Sequence, residues 1–185
     1  FTFAHSRWVT EDEIATNDEI AERRGVGFHI PGRFDKILDV DRCYLQGDPS
    51  NAIRLAVKEF AFDNDLSFYN VREQHGLLRN LIIRNTNLGE LMALVCFGED
   101  QEDNIALVME HLKEKFPQVT SLMYVVNTKQ NDTIYDLDVQ SFAGKDHIVE
   151  EMEGLKFKIG PKSFFQTNST MALKLYEIAR EFANI

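Results

Sequence analysis

The chain has 185 residues, 44% hydrophobic and 27% charged, and this composition excludes an intrinsically disordered protein. Its net charge of −10 argues against binding DNA or RNA by broad phosphate neutralisation, so DNA is not an expected partner and any RNA contact must be local or lie outside this segment. The two cysteines, Cys43 and Cys96, cannot form a disulfide framework and favour a reducing, cytoplasmic location. Apolar runs such as residues 91–97 are too short to cross a bilayer, so no membrane partner is expected.

The first forty residues are predicted to form a strand, a polar excursion and a β-hairpin. Residues 1–9 alternate like the end of a strand, whereas the charged residues 10–24 lack an apolar period and indicate a solvated excursion with room for a helical turn. Residues 26–30 and 36–40 alternate as strands on either side of a turn that contains Pro31.

Helices and strands then follow each other. A helix opens at Pro49, and its apolar positions share one face. Residues 77–84 and 90–97 are strands joined by an Asn- and Gly-containing turn, which is the strongest hairpin signal in the chain. A second amphipathic helix over residues 103–116 precedes an apolar strand over residues 121–127.

The last third is predicted to contain short strands and a helix. The strands are placed at residues 134–139, 146–149 and 155–159. A final helix over residues 169–184 presents one apolar side, formed by Met171, Leu175, Ile178 and Phe182. This order of elements predicts an α+β fold with a mixed, mostly antiparallel sheet and helices packed on one face.

The junction between the last strand and the last helix carries polar side chains. The strand breaks at Gly160-Pro161, and two phenylalanines then precede Gln166 and Asn168. Backbone N–H groups at such a junction are unpaired, so these amides could help to hold a polar ligand. The alternative is an ordinary helix cap formed by Asn168 beside a buried phenylalanine.

The sequence lacks the motifs that a complete enzyme would be expected to carry. It has no Gly-rich phosphate loop and no Cys-x-x-Cys pair, and the five histidines lack metal-ligand spacing. A Ser-His-Asp or Cys-His nucleophile is not indicated, and no carboxylate stands in an apolar context that would tune its pKa for acid–base work. The segment does not have the pattern of a complete catalyst.

Several stretches together resemble the RNA uridine-C5 methyltransferases, which use S-adenosylmethionine on ribosomal or transfer RNA. Residues 26–30 and 39–46 resemble the family's Gly-Phe strand and its Asp-x-Cys-x-x-Gln element. Residues 78–81 with 89–92 resemble its central hairpin. The most specific match is Phe-x-Gln-x-Asn within residues 160–168, the stretch that leads into the family's catalytic domain.

The resemblance implies a division of the chain and of the chemistry. Residues 1–150 would be the central α+β domain, and residues 151–185 the beginning, hairpin and helix, of a truncated Rossmann-like methyltransferase domain. In the family's reaction a cysteine thiolate adds to uracil C6, and a base later removes the C5 proton. That cysteine and that base would lie beyond Ile185, so no catalytic residue is expected here. The segment alone is expected to be inactive, while helping to position RNA, in particular ribosomal RNA, and to close the cofactor cleft.

The resemblance also implies roles for single residues. Gln166 matches a position that contacts S-adenosylmethionine, and Phe164 and Asn168 would shape the cofactor and target-base cleft. Arg79 would reach an RNA phosphate or base. The alternatives are core packing for Phe164, a helix cap for Asn168, and a solvated strand-edge side chain for Arg79.

Cys43 matches a position that in some family members is the fourth ligand of a [4Fe–4S] cluster. The other three ligands would precede Phe1, and one cysteine holds no such cluster. We therefore expect no metal site in this segment and a half-buried, free Cys43. The rival to an enzyme fragment is a stand-alone, non-catalytic acidic α+β interaction module.

Overall fold

A computed structural model describes residues 1–16 and 22–184, and a seven-stranded mixed sheet dominates it. The strands, in the spatial order β3-β2-β1-β4-β5-β6-β7, are β1 (Thr2–Ala4), β2 (Gly25–Ile30), β3 (Arg33–Asp39), β4 (Leu78–Asn85), β5 (Leu91–Phe97), β6 (Ser121–Val126) and β7 (Gln140–Gly144). A separate hairpin consists of β8 (Ile148–Met152) and β9 (Leu155–Ile159). The helices are α1 (Glu11–Ala15), α2 (Ser50–Asp63), α3 (Glu102–Lys115) and α4 (Ser169–Ala183).

The β4–β5 hairpin is the centre of the sheet. Leu81 pairs with Val95 in antiparallel register, and Gly89 in the turn adopts a φ of +78°, which favours glycine. All seven residues of β5 are buried, since this strand has neighbours on both sides and is covered on both faces. β5 and β6 are parallel, so the chain crosses over between them through α3.

Helices α2 and α3 cover one face of the sheet. Their inward positions follow the helical period that the sequence shows, and they pack on alternate residues of the central strands. The main contributors from the helices are Ile53, Val57, Val108, Met109 and Leu112. The predicted α+β class, with a mostly antiparallel sheet and helices on one face, is confirmed.

Loop 128–139 and the segment from β8 to residue 165 cover part of the opposite face. Met92, Leu94 and Cys96 of β5 point to this side. They form a second apolar cluster with Ile148 of β8, and Phe165 packs against its edge. The sheet is therefore sandwiched over β4–β6 by helices on one side and by a loop and a hairpin on the other.

Two predicted strands differ from the observed elements. Residues 134–139 form turns rather than a strand, because Ile134 is buried by a loop folded onto the sheet, and β7 begins only at Gln140. The predicted strand at 146–149 is shifted to Ile148–Met152. The polar excursion over residues 10–24 contains a short helix, α1, in agreement with the helical turn allowed there, and Thr10 and Glu13 cap it reciprocally. Residues 17–21 of the excursion lie outside the described part of the chain.

Helix α4 forms as predicted, but its apolar side does not pack on the sheet. Only Ala172 is buried, and the exposed apolar side chains are Met171, Leu175, Ile178 and Phe182. Among the described residues, no helix combines the length and the apolar character needed to span a bilayer.

Candidate functional site

A groove runs between the loop that follows β3, strand β4 and the start of α4. It comprises two adjoining cavities of about 260 Å³ and 770 Å³ that share lining residues. Both cavities are lined by Gln46, by Ile82 and Ile83 of β4, and by Glu150 of β8. Residues 166–170 form the opposite wall. The fold thus brings together four of the five stretches that carry the family resemblance, since Phe28, Gln46, Leu81 and Asn168 all line the groove.

The loop that contains Cys43 is fixed by a buried amide. The backbone N–H of Cys43 donates to Oδ1 of Asn51 at 2.8 Å, and Nδ2 of Asn51 donates to the Cys43 carbonyl at 3.0 Å. Further along the loop, Nε2 of Gln46 donates to the Ile83 carbonyl at 3.0 Å. These bonds hold one wall of the groove against α2 and β4.

The opposite wall is the strand-to-helix junction. Oδ1 of Asn168 accepts from the N–H of Met171 at 3.0 Å, so this side chain caps α4. Asn168 also lines the larger cavity, and the exposed Gln166 lines the smaller one. The two phenylalanines separate: Phe165 packs on the second cluster, whereas Phe164 is 84% exposed and is not a core residue.

Glu150 is a buried carboxylate at the centre of the groove. The side chain is 2% exposed, yet its partners are neutral donors rather than a lysine or arginine. The backbone N–H of Asn87 donates to Oε1 at 3.1 Å, the N–H of Glu151 donates to the same oxygen at 3.1 Å, and Oγ of Ser169 donates to Oε2 at 2.7 Å. Glu150 therefore ties the β4–β5 turn to the first residue of α4.

Arg84 brings a cation to the smaller cavity. It donates through Nη1 to the Ser163 carbonyl at 2.7 Å, which anchors the segment before Gln166 to β4. Burial lowers the pKa of its guanidinium from the ordinary value, and Tyr135 nearby opposes this shift. The groove therefore combines side-chain amides, a carboxylate and a guanidinium.

Arg79 lies outside this groove and is committed to the fold. The side chain is 2% exposed, so the interpretation as a solvated strand-edge arginine is wrong. It donates to the carbonyls of Asn127 and Lys129 at 2.8 and 2.6 Å and to Asp132 at 2.8 Å, and it stacks 4.3 Å from the ring of Tyr69. The burial follows from β4, which is an interior strand covered by loop 128–139.

The two cysteines are both buried and free. Cys43 is 7% exposed, so it is more deeply buried than the half-buried state expected, because α2 clamps its loop. Burial raises the pKa of the Cys96 thiol to about 12. Within residues 1–16 and 22–184, no three His, Cys, Asp or Glu side chains are grouped so that they could hold a metal ion.

Comparison with known proteins shows which proteins the chain is similar to. No family model matches it. It is 52% identical to a protein of Bacteroides thetaiotaomicron and 48% identical to one of Porphyromonas gingivalis, both named "Uncharacterized RNA methyltransferase", over 100% of its length. The chain is homologous to RNA methyltransferases. It spans 41% of the length of either relative.

A solved structure extends this relationship to three dimensions. The crystal structure of Pyrococcus abyssi tRNA (uracil-54, C5)-methyltransferase in complex with S-adenosyl-L-homocysteine superposes with a TM-score of 0.70 and 26% identity. The match covers 98% of this chain and 40% of that one. The resemblance to RNA methyltransferases and the fold class are thereby confirmed.

Glu150 and Arg84 are groove residues that the sequence interpretation missed. A signal for Glu150 was present, since alternation along β8 places it on the same buried side as Ile148 and Met152. Arg84 carried no such signal, because its partner at residue 163 is far away in sequence.

Proposed function

We propose that this chain is the central domain and the beginning of the catalytic domain of an S-adenosylmethionine-dependent RNA uridine-C5 methyltransferase. Residues 1–150 form the first part and residues 151–185 the second. The segment helps to position RNA, with ribosomal RNA as the preferred substrate, and closes one side of the cofactor cleft. The observation that carries this proposal is the groove in which Gln166 and Gln46 face a shared cavity.

The side chains of the groove fit part of such a cofactor. S-adenosylmethionine carries ammonium, carboxylate and ribose hydroxyl groups, and the amides of Gln46 and Gln166 can both donate and accept hydrogen bonds. When bound, its sulfonium makes the transferred methyl group electrophilic. The part of this chain is to bind and orient: Arg84 anchors the segment before Gln166, and Glu150 fixes the start of α4.

The nucleophile and the base are assigned to the remainder of a longer protein. Cys96 is unsuited to attack on uracil, because it is buried and its pKa is raised to about 12, so its thiol stays protonated. Cys43 is also buried. This 185-residue chain alone is therefore proposed to be inactive.

The exposed side of α4 supports the division into two domains. Met171, Leu175 and Ile178 are 48–56% exposed, and together they form an apolar surface of the kind that packs on another element. We assign this surface to contact with the rest of the methyltransferase domain. We also propose a cytoplasmic location and no [4Fe–4S] cluster in this segment. Iron found in the purified chain would contradict the second of these.

Gln166→Ala in a protein of the relatives' length tests the cofactor role. We expect S-adenosylhomocysteine binding, measured by calorimetry, to weaken roughly ten-fold, because the hydrogen bond from the Gln166 side chain to the ligand is lost. Gln118→Ala removes an exposed glutamine in the loop after α3 and serves as the matched control. Unchanged binding in the Gln166 variant would refute the role.

Methyl transfer tests the reaction itself. Radiolabelled S-adenosylmethionine is supplied with ribosomal RNA or transfer RNA, and the label is located in the nucleosides. The proposal expects 5-methyluridine in ribosomal RNA. Label only in transfer RNA would correct the substrate, and no transfer to either RNA would favour the acidic interaction module.

A further inference from the structure

A separate cavity of about 230 Å³ lies on the sheet face opposite α2. It shares no lining residue with either cavity of the groove. Residues of β1, β3 and β4 and the loop that contains Arg72 line it. Its floor is rigid, because Arg79 is sandwiched between Tyr69 and its acceptors in loop 128–139. The family resemblance implies an RNA contact for Arg79 alone among the residues that line this cavity.

Basic side chains outnumber acidic ones in the lining of this cavity by one. Lys36, Arg72 and Arg79 line the cavity, together with the carboxylates of Asp35 and Asp132. Asp132 is paired with Arg79 at 2.8 Å, and Asp35 with Arg72 at 2.7 Å. Nζ of Lys36 donates to the hydroxyl of Ser6, a neutral acceptor. With the histidines neutral, three basic and two acidic side chains leave the cavity lining with one net positive charge, whereas the whole chain carries −10.

An exposed aromatic ring stands at the rim beside an arginine. Phe34 is 63% exposed, and the guanidinium carbon of Arg72 lies 5.1 Å from its ring centroid. Arg72 itself has 62% of its side chain exposed. A nucleobase can stack on such a ring and on a guanidinium plane, while Asn80 and Thr2 within the cavity offer hydrogen bonds to base edges.

We propose that this cavity binds one unpaired nucleotide of the RNA substrate, separate from the uridine that is methylated. Phe34 and Arg72 contact the base, and Lys36 contacts a phosphate. The cavity is too small to admit a duplex, and stacking with local charge is how proteins hold single-stranded RNA. The proposal rests on the proposed function, since that function supplies the RNA. It also gives Arg79 a positioning role, as the floor of the site rather than a direct contact.

The test measures binding of a fluorescein-labelled single-stranded RNA oligonucleotide to a protein of the relatives' length, over a range of salt concentrations. Phe34→Leu is expected to weaken binding roughly ten-fold without changing the salt dependence, because it removes only stacking. Lys36→Ala is expected to lower the slope of log K against log salt by about 0.7, the value for one phosphate contact to a single strand. Phe34→Tyr keeps a ring and is expected to bind normally.

Arg33→Ala is the matched charge control, because this exposed arginine lies on the same hairpin and does not line the cavity. An equal loss from Arg33→Ala and Lys36→Ala, or no loss from Phe34→Leu, would overturn the proposal. Equally tight binding of a free nucleoside monophosphate would also overturn it in favour of a mononucleotide site. Circular dichroism confirms that each variant is folded.

Binding of S-adenosylhomocysteine, measured in the same variants, separates the two proposals. The Phe34 and Lys36 variants are expected to bind it normally, since these residues lie outside the groove. If the Phe34 and Lys36 variants bind both RNA and S-adenosylhomocysteine as the parent does, this RNA site is refuted and the proposed function stands. RNA binding that depends on Phe34 without any cofactor binding refutes the proposed function while leaving the RNA site in place.

Discussion

The backbone N–H of Asn87 donates a hydrogen bond of 3.1 Å to Oε1 of Glu150, and this contact joins the β4–β5 turn to β8. The same carboxylate accepts from Ser169 at the start of α4. The Glu150 side chain is 2% exposed, and its hydrogen-bond partners include no lysine or arginine. The neutral donors must therefore compensate for the loss of water around the buried carboxyl group. One side chain thus connects three elements that line the groove.

Glu150→Gln is expected to lower the free energy of unfolding by about 1–3 kcal/mol, because an amide group replaces an acceptor oxygen that faces a donor. Urea unfolding followed by circular dichroism measures the change. Glu151→Gln is the control, since its side chain lies on the other side of β8 and is partly exposed. Equal stability of the two variants would show that the carboxylate does not hold the groove together.

Arg79→Lys is expected to destabilise the protein by about 2–4 kcal/mol, although it preserves the charge. A lysine cannot reach the two carbonyls and Asp132 at once, so buried carbonyl groups lose their donors. Chemical unfolding again provides the measurement, with the exposed Arg33→Lys as the control. A loss no larger than that of the control would mean that loop 128–139 is held by its other contacts.

The sequence was sufficient where the determinants are local. The β4–β5 hairpin follows from a turn that contains Asn85, Asn87 and Gly89, and α2 and α3 follow from apolar residues at helical spacing that form one face against the sheet. It also located Gln166 and Asn168 at the junction that forms one wall of the groove.

Prediction failed where the partner lies far along the chain. The alternating pattern of β4 is equally consistent with a solvent-facing and a buried Arg79. The carbonyl groups that accept its hydrogen bonds are about fifty residues further along the chain. Ile134 gave a strand-like pattern, although a loop carries it into the second cluster. The sequence does not indicate which of Phe164 and Phe165 packs inward, because the choice depends on the second apolar cluster, against which Phe165 packs.

Cys96 is expected to resist thiol reagents until the protein unfolds. Burial raises its pKa to about 12, so roughly one thiol in ten thousand is ionised at pH 8, and the side chain is 2% exposed. A Cys43→Ala variant leaves this single thiol, and its reaction with Ellman's reagent is followed by absorbance. We expect slow labelling in buffer and complete labelling in urea. Equally fast labelling in both would contradict the buried position.

The pair formed by Glu90 and Lys145 is expected to make stability depend on pH. Nζ of Lys145 lies 2.7 Å from Oε1 of Glu90, and the N–H of Val149 donates to the other oxygen at 2.6 Å. The hydrogen bond from Lys145, followed by that from Val149, lowers the pKa of Glu90 below its ordinary value of 4.5. These bonds attach the β8–β9 hairpin to the end of the central strands.

A lowered carboxyl pKa stabilises the folded state above pH 4.5, and this contribution is lost as the pH falls through the folded value. Glu90→Gln should therefore be less stable than the parent at pH 7, and the difference should shrink on acidification. Thermal unfolding at a series of pH values measures it, with Glu59→Gln on the exposed side of α2 as the control. A difference that stays constant from pH 7 to acid would show that Glu90 acts by packing, because protonation would then leave its contribution unchanged.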